Sequence, residues 1–350
     1  MNHKKKLGQF YTTNYEYILQ GIIIPDDIID IIEPFTGKGD LISFINKHKK
    51  DYNIECYDID PKQYYIIHQD TLNNPPNYNN KYIITNPPYL ARNKSNDKLL
   101  FDKYDVNDLY KCLIKELTIN LCKGGILILP LNFWSSIRTA DIELRKKFLE
   151  KYDIQQLNIF EEKVFKDTTY TICSFQFTLK INPNHLLKID IYPIKKQMII
   201  ELNDDNNYMI GGHIYKLKLK NTYTITRLTK NNKEKDYSNI LVKCIDDNED
   251  KKIGLSIVND NEIYIDNTPN LSARTYATLI IEPYITIDKQ EMLINKFNEY
   301  LNINREKYHS LFLCNYRESK DIARKRISFD LVYNIMAYIL ENFDIDVNLL

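Results

Sequence analysis

Apolar runs alternate with amphipathic stretches over the first half of the chain. The Ile-rich runs "IIDIIEPF", "NIECYDID", "KYIITNPP", "GGILILPL" and "TICSFQFTL" are bounded by Gly, Pro, Asn or Asp and predict strands. Between them, "DLISFINKHKK" and "VNDLYKCLIKELTINLCKGG" place apolar residues at helical spacing, the second ending on Gly124-Gly125 as a helix C-terminus does. This alternation predicts an α/β domain over residues 1–182, a Rossmann-like, doubly wound, mainly parallel sheet with helices on both faces. Beyond Asn182-Pro183 the segments shorten and Asn/Asp-rich breaks appear at "ELNDDNN", "TKNNKEKD" and "CIDDNEDKK", which predicts a second, α+β domain over residues 183–350. The stretch "SKDIARKRISFDLVYNIMAYILENF" predicts a helix, basic in its first part and apolar in its second.

Composition narrows the setting. With 350 residues, 43% of them hydrophobic, the chain is long enough for two cores. The most apolar stretch, "GIIIPDDIIDIIEPF", is broken by Pro25, Asp26, Asp27 and Asp30, so no membrane span is expected. The start, "MNHKKKLGQF", lacks the apolar region of a signal peptide, and an intracellular protein is expected. Cys56, Cys112, Cys122, Cys173, Cys244 and Cys314 form no C-x-x-C pair and have no ligand spacing with the histidines, so reduced thiols and no metal site are expected. Forty-seven basic residues balance 47 acidic ones, which leaves only local patches to attract nucleic acid.

Candidate chemistry lies at the ends of the predicted strands. After "IIDII" come Glu33, Pro34, Phe35, Thr36, Gly37, Lys38 and Gly39, where glycines let the backbone turn tightly and approach a ligand. Taken alone, the segment fits a plain strand-to-helix turn equally well, and no Gly-Lys-Ser/Thr follows to make it a P-loop. Asp58, at the end of the second run, stands at the spacing of a ribose-binding carboxylate, whereas Asp60 before Pro61 suits a turn or cap. Asp70, after "YYIIHQ", can accept from an adenine amino group or serve as a cap.

The fourth run ends in Asn86-Pro87-Pro88-Tyr89. Each proline fixes its own φ and pushes the preceding residue to extended geometry, so the segment is a stiff bracket. The Asn86 oxygen and the Pro87 carbonyl are then pre-aimed acceptors for the two N–H bonds of an exocyclic amine. Accepting them draws the nitrogen towards sp³ and makes its lone pair nucleophilic. Tyr89 offers a π-face for an extruded base. The chain contains its own control, since Asn74-Pro75-Pro76 follows no clean apolar run and precedes Asn77, and it is assigned to a loop.

Over roughly residues 4 to 180 the sequence resembles the adenine-N6 DNA methyltransferases of restriction-modification systems, in particular their gamma class, which use S-adenosylmethionine. The resemblance implies a class I methyltransferase fold. It implies that Phe10, Tyr11 and Thr12 of "KKKLGQFYTT" contact the methionine end of the cofactor, with Glu33, Phe35, Gly37 and Gly39 forming its loop. Asp58 and Ile59 then hold the ribose side, Asp70 the adenine, and Asn86 borders the cofactor as well as catalysing with Pro87, Pro88 and Tyr89. Phe165 of "EEKVFKDTTYTICSFQF" is the ring that packs the other face of the flipped base, with Tyr170 and Phe160 as nearby alternatives. The motif order implies that residues 183–350 read a short target in duplex DNA, and that a cognate restriction endonuclease can act separately.

Arg92 and Lys94, just after the tetrad, are placed for phosphates beside a flipped nucleotide. Arg317, Lys320, Arg324, Lys325 and Arg326 form a basic run suited to guanine or phosphate, and a solvated helix face fits that run equally. Other functions share the tetrad. Glutamine N5-methyltransferases of release factors carry their extra domain first, whereas here it comes last. RNA adenine methylation differs only in flanking contacts. Cytosine-N4 enzymes favour Ser or Thr where this chain has Asn86. A binding module without catalysis has no use for an intact tetrad.

Overall fold

Short Ile-rich segments bounded by turn residues do become strands, and their ends define the candidate site. The structure, a computed structural model, describes residues 12–48, 50–165, 170–181, 186–247, 252–267, 275–319 and 322–343, and leaves out the side chains of 314–324. One compact unit comprises Met1–Asn203 and Arg317–Ala323, the other Asp204–Tyr316 and Arg324–Leu350.

The first unit is built on a nine-stranded sheet. Its strands are β1 (Asp30–Glu33), β2 (Asn53–Asp58), β3 (Ile67–His68), β4 (Tyr82–Thr85), β5 (Gly124–Pro130), β6 (Tyr152–Phe160), β7 (Ile172–Leu179), β8 (Leu186–Tyr192) and β9 (Lys196–Glu201). Their order is β3-β2-β1-β4-β5-β7-β6-β8-β9. Pairing is parallel from β3 to β5 and antiparallel between β5 and β7, β7 and β6, and β8 and β9. The expected doubly wound, mainly parallel α/β fold is therefore present. The chain runs outward from β1 through β2 and β3, then returns to place β4 on the other side of β1, with Ile31 opposite Tyr82 and Ile32 opposite Ile83. A crevice opens where the winding reverses, at the carboxyl ends of β1 and β4. Glu33 and Asn86 sit at those two ends.

Several sequence expectations are corrected. Gly124-Gly125 do not end the preceding helix, which spans Leu109–Ile119, but open β5. A Cβ at Gly125 would lie 2.2 Å from the Ile83 carbonyl oxygen, so close approach of neighbouring strands, not helix termination, requires glycine there. The run "YYIIHQ" yields only the two exposed residues of β3, at the sheet edge. The expected domain boundary at Asn182-Pro183 lies outside the described residues, and the units divide later, at Asn203/Asp204. The reason is that β8 pairs in parallel with β6 and carries β9 with it. Strand β8 alternates buried and exposed residues along "LLKIDIY", a strand signal that the surrounding polar segments obscure.

The second unit is α+β. Strands β10 (Thr224–Arg227), β11 (Ile240–Lys243), β12 (Gly254–Ile257) and β13 (Tyr276–Glu282) form an antiparallel sheet in the order β10-β13-β11-β12. Helices Ile287–Tyr308 and Phe329–Glu341 accompany it. Asp247 is buried against Arg305, whose Nε and Nη2 donate to its two carboxylate oxygens at 3.0 and 2.7 Å, and this pairing holds its carboxyl below the usual range despite burial. The basic run is not helical as expected. Cys314–Ser319 and Ile322–Arg326 are paired strands, and the helix begins only at Phe329, where the Ser328 hydroxyl accepts from Leu331 N. Residues 322–326, Ile, Ala, Arg, Lys and Arg, carry no alternation that would have marked a strand, whereas the Ser328 cap marks the true helix start. No helix among the described residues is long and apolar enough to cross a membrane. Cys56, Cys112, Cys122, Cys173 and Cys244 are buried free thiols.

Candidate active site

The glycine loop after β1 is held from below and from the side. Gly37 and Gly39 have φ of +56° and +87°, the left-handed region that glycine enters without strain. Gly39 caps the helix Asp40–Asn46, and the Thr36 hydroxyl donates to the Glu33 carbonyl at 2.9 Å. The Asp58 carboxylate at the end of β2 accepts from Gly37 N at 2.8 Å and from Asp60 N at 2.7 Å. A single buried carboxylate thus fixes both the glycine loop and the turn after β2. Asp70 accepts from Leu72 N and Asn73 N at 3.2 and 3.1 Å, so it caps the turn that follows β3 while facing the crevice.

These strand ends surround a cavity of about 180 Å³. Phe35, Gly37, Asp58, Ile59, Asp70, Asn86 and Pro88 line it, and so do Gln69, Thr71, Leu72, Leu90, Ser95, Asp97, Leu100, Phe101 and Leu109, which sequence reading missed. A smaller pocket beside it is lined by Thr12, Phe35, Thr36, Gly37, Asp40, Leu41 and Asn86. Asn86, Phe35 and Gly37 border both. Glu33 and Gly39 line neither. Glu33 lies buried beneath the loop, where its Oε1 accepts from the Thr85 hydroxyl and its Oε2 has no hydrogen-bond partner. Burial pushes its carboxyl up to about 8.

The tetrad closes the crevice from the β4 side. Asn86 is buried, with its Nδ2 3.0 Å from the Thr12 hydroxyl and its Oδ1 in contact with the Tyr89 hydroxyl. The Tyr89 hydroxyl also lies 2.7 Å from the Ile128 carbonyl of β5. Its ring is 3% exposed and packs edge-on against Tyr110 and Tyr170, and burial pushes its phenol well above the usual range. The backbone after the tetrad is tied to the start of the helix Leu109–Ile119. There the Asp108 carboxylate accepts from Leu90 N at 3.1 Å, and Arg92 N donates to the Asn107 carbonyl at 2.9 Å. Burial pushes Asp108 up to about 6. Its position, one residue before an apolar helical run, was the signal available in the sequence.

Thr12 reaches Asn86 because polar side chains in mid-strand capture the N-terminal segment. Ser174 donates to the Ile18 carbonyl at 2.5 Å, Gln176 to that of Ile23 at 2.7 Å, and Asn158 to that of Gln20 at 2.9 Å. Phe10 and Tyr11 lie outside the described residues. Phe165 is buried, Tyr170 is the ring found against Tyr89, and the buried Phe160 stacks on Tyr192. Arg92 is ion-paired with Asp102, while Lys94 is exposed on the short turn Arg92–Lys94. Lys325 is buried, Arg326 is half-buried, and Lys320 and the side chains of Arg317 and Arg324 lie outside the described residues. Among the described residues no cluster of His, Cys, Asp and Glu could hold a metal ion.

Strand order and crevice define a Rossmann-like, doubly wound, mainly parallel α/β fold. Residues 30–165 match the family of Eco57I restriction-modification methylases, and this match bears out the resemblance read from the sequence. No curated protein sequence matches the chain. Among solved structures, the chain is similar to a protein described as a modification subunit of a type I restriction enzyme from Vibrio vulnificus, at 12% identity over 59% of this chain and 51% of that one, with a TM-score of 0.43. It is similar to the type I methyltransferase subunit from Streptococcus thermophilus at 16% identity over 60% and 52%, TM-score 0.41. Similarity to the type IIG restriction endonuclease BpuSI is 12% over 63% and 36%, TM-score 0.40. The chain spans about half the length of the first two.

Methyl transfer is the chemistry of the matched family, and S-adenosylmethionine is the donor that family and fold imply. The residues present fit it. The crevice joins a carboxylate that anchors its glycine loop to apolar walls from Ile59, Leu72, Leu100 and Phe101, which suits a ribose hydroxyl pair next to a flat aromatic ring. Asp58→Ala is expected to weaken binding of the cofactor by about ten- to a hundredfold, since it removes a charge-assisted acceptor and frees Gly37. Calorimetry on the folded variant checks this, and an unchanged dissociation constant would rule out Asp58 as a cofactor contact.

Proposed function

We propose that this chain transfers the methyl group of S-adenosylmethionine to the N6 amine of an adenine flipped out of a specific duplex DNA site. The observation that carries this reading is the position of Asn86, which borders both the large crevice and the small pocket beside the glycine loop. An amide there can meet the target amine and the methyl donor at once. In this reading the Asn86 oxygen and the Pro87 carbonyl accept the two amine N–H bonds, the lone pair of N6 forms the new N–C bond, and the sulfonium keeps the electrons of the bond that breaks. The surplus proton on N6 passes to solvent after transfer. No dedicated base is needed, because the methylated amine is acidic until it loses that proton.

Tyr89 and Phe165 are assigned to stack the extruded base. Both rings are buried, so stacking on them requires their cover to move. The second unit, Asp204 onward, is assigned to read the target, and a cognate endonuclease is assigned as a separate partner. Lys94 is the exposed cation nearest the tetrad in sequence, and it is assigned to a phosphate beside the flipped nucleotide. Lys94→Ala is then expected to flatten the dependence of log affinity on log salt by up to about 0.9 without changing the preferred sequence. Equal slopes would make Lys94 a solvated surface residue.

The test of the function is to incubate the protein with radiolabelled S-adenosylmethionine and, separately, duplex DNA, structured RNA and a release factor. Labelled N6-methyladenine in DNA supports the proposal. Label in N4-methylcytosine, in RNA or in a glutamine side chain rejects it.

A further inference from the structure

Two of the four tetrad residues, Pro87 and Pro88, carry no N–H with which to tie the bracket to its surroundings. The chain that follows it is held instead. Asp108 has extended backbone, φ −150° and ψ 147°, just before the helix Leu109–Ile119, and pairs antiparallel with Ala91. Around that bridge Leu109 N donates to the Leu90 carbonyl at 3.2 Å and Arg92 N to the Asn107 carbonyl at 2.9 Å. The Asp108 carboxylate reaches back along the bridge and accepts from Leu90 N, the first amide after Tyr89, at 3.1 Å. Pro88, Leu90 and Leu109 line the large crevice, so this join is also part of its wall.

A helix start is capped as well by a neutral Asn or Ser, yet here a carboxylate is buried. Burial pushes it up to about 6, while the Lys111 ammonium and the amides of Leu90, Leu109 and Tyr110 oppose that shift, so it is ionised at neutral pH. Lys111 is itself buried. It donates to Asn107 Oδ1 at 2.7 Å and to Oδ1 of Asp141, on the helix Thr139–Lys151, at 2.6 Å. Asp141 Oδ2 in turn accepts from the Ser136 hydroxyl at 2.6 Å. The carboxylate thus ends a buried polar chain anchored on two helices, and a charged acceptor holds an amide about twice as strongly as a neutral one. We propose that Asp108 is a positioning residue for methyl transfer, whose carboxylate holds the Leu90 amide and thereby keeps Asn86 and Pro87 in place beside the crevice.

The inference rests on the methyltransferase reading of the tetrad, and the test keeps the two apart. In single-turnover methylation of duplex DNA, Asp108→Ala is expected to lose about ten- to a hundredfold in rate, the cost of one charge-assisted hydrogen bond. Asp108→Asn keeps an acceptor oxygen and a helix cap without the charge, so its rate is expected to fall between those of Asp108→Ala and the parent. It carries the test alone if Asp108→Ala does not fold. The dissociation constant of S-adenosylmethionine is expected to change far less than the rate, because Asp58 and its hold on Gly37 are untouched. Because Asp108 acts through the tetrad, Asp108→Asn is expected to cost less in an Asn86→Ala background than in the parent. A role in stability alone predicts normal turnover once the variants are folded. Parental turnover in either folded variant, an equal loss in cofactor binding, or losses that multiply fully with Asn86→Ala overturns the positioning role. Parental turnover in Asn86→Ala overturns the underlying reading of the tetrad, whatever the Asp108 variants do.

Discussion

Asn86→Ala is expected to lower the single-turnover rate of methylation by at least about a hundred- to a thousandfold, the usual cost of removing one preorganised contact from a transition state. The proposed contact strengthens as the amine rehybridises, so the loss should appear in the rate and not in the binding of either substrate. Cofactor affinity is expected to fall only modestly, because Asp58, Gly37 and the apolar wall remain. Duplex binding should persist, measured by fluorescence anisotropy alongside the rapid-quench rate. A rigid turn without catalytic function predicts a different result, since Pro87 and Pro88 would still set the bend. The variant would then be less stable yet turn over normally once folded, and a near-parental rate would sink the mechanism.

The second large effect concerns Glu33 and pH. Its carboxyl titrates at 4.5 when unfolded and is pushed up to about 8 by burial, with the Thr85 hydroxyl and Phe35 N opposing that shift. The folded state therefore favours the protonated, neutral form. A group raised in this way contributes stability that is fully present below about pH 4.5 and is lost as pH rises through about 8. The span between the two values corresponds to several kcal/mol, on the order of 4 to 5, at alkaline pH. Glu33→Gln keeps a neutral side chain of the same shape at every pH. Chemical denaturation between pH 5 and 9 is expected to show the parent losing stability relative to the variant as pH rises. Any constant cost of burying the Gln amide shifts the two curves apart without changing that difference in slope. Parallel curves would mean that Glu33 is ionised in the native state. The same burial explains why Glu33, although it ends β1 beside the glycine loop, does not line the crevice.

Local sequence determined the elements that carry the crevice. Apolar runs punctuated by Gly, Pro and Asp marked β1, β2, β4, β5 and β7, strands of four to eight residues, and every residue of β4 and β5 is buried, as the centre of a sheet covered on both faces demands. The strand-end residues Gly37, Asp58, Asp70 and Asn86 stood out for their backbone freedom, charge or rigidity, and all four meet at one cavity. Each of these properties belongs to a short segment and needs no distant partner to be recognised. Where two adjacent signals competed, reading failed. Gly124-Gly125 suits a helix end locally, yet the 2.2 Å between a Cβ at Gly125 and the Ile83 carbonyl decides for a strand. In the same way, the basic run before Phe329 suits a helix by composition but pairs as a ribbon, and it buries Lys325.

What only the tertiary structure decided was which polar groups face one another across long stretches of chain. Thr12 and Asn86 are 74 residues apart, and Ser174 and Ile18 are 156 apart. The Tyr89 hydroxyl meets the Ile128 carbonyl only because β5 lies beside β4. The extension of the sheet by β8 and β9 likewise depends on pairing with β6, which no local pattern specifies. The physical reason is common to all of these. Propensity and periodicity act within a few residues, whereas a hydrogen bond between distant segments is decided by the register and packing of the whole sheet.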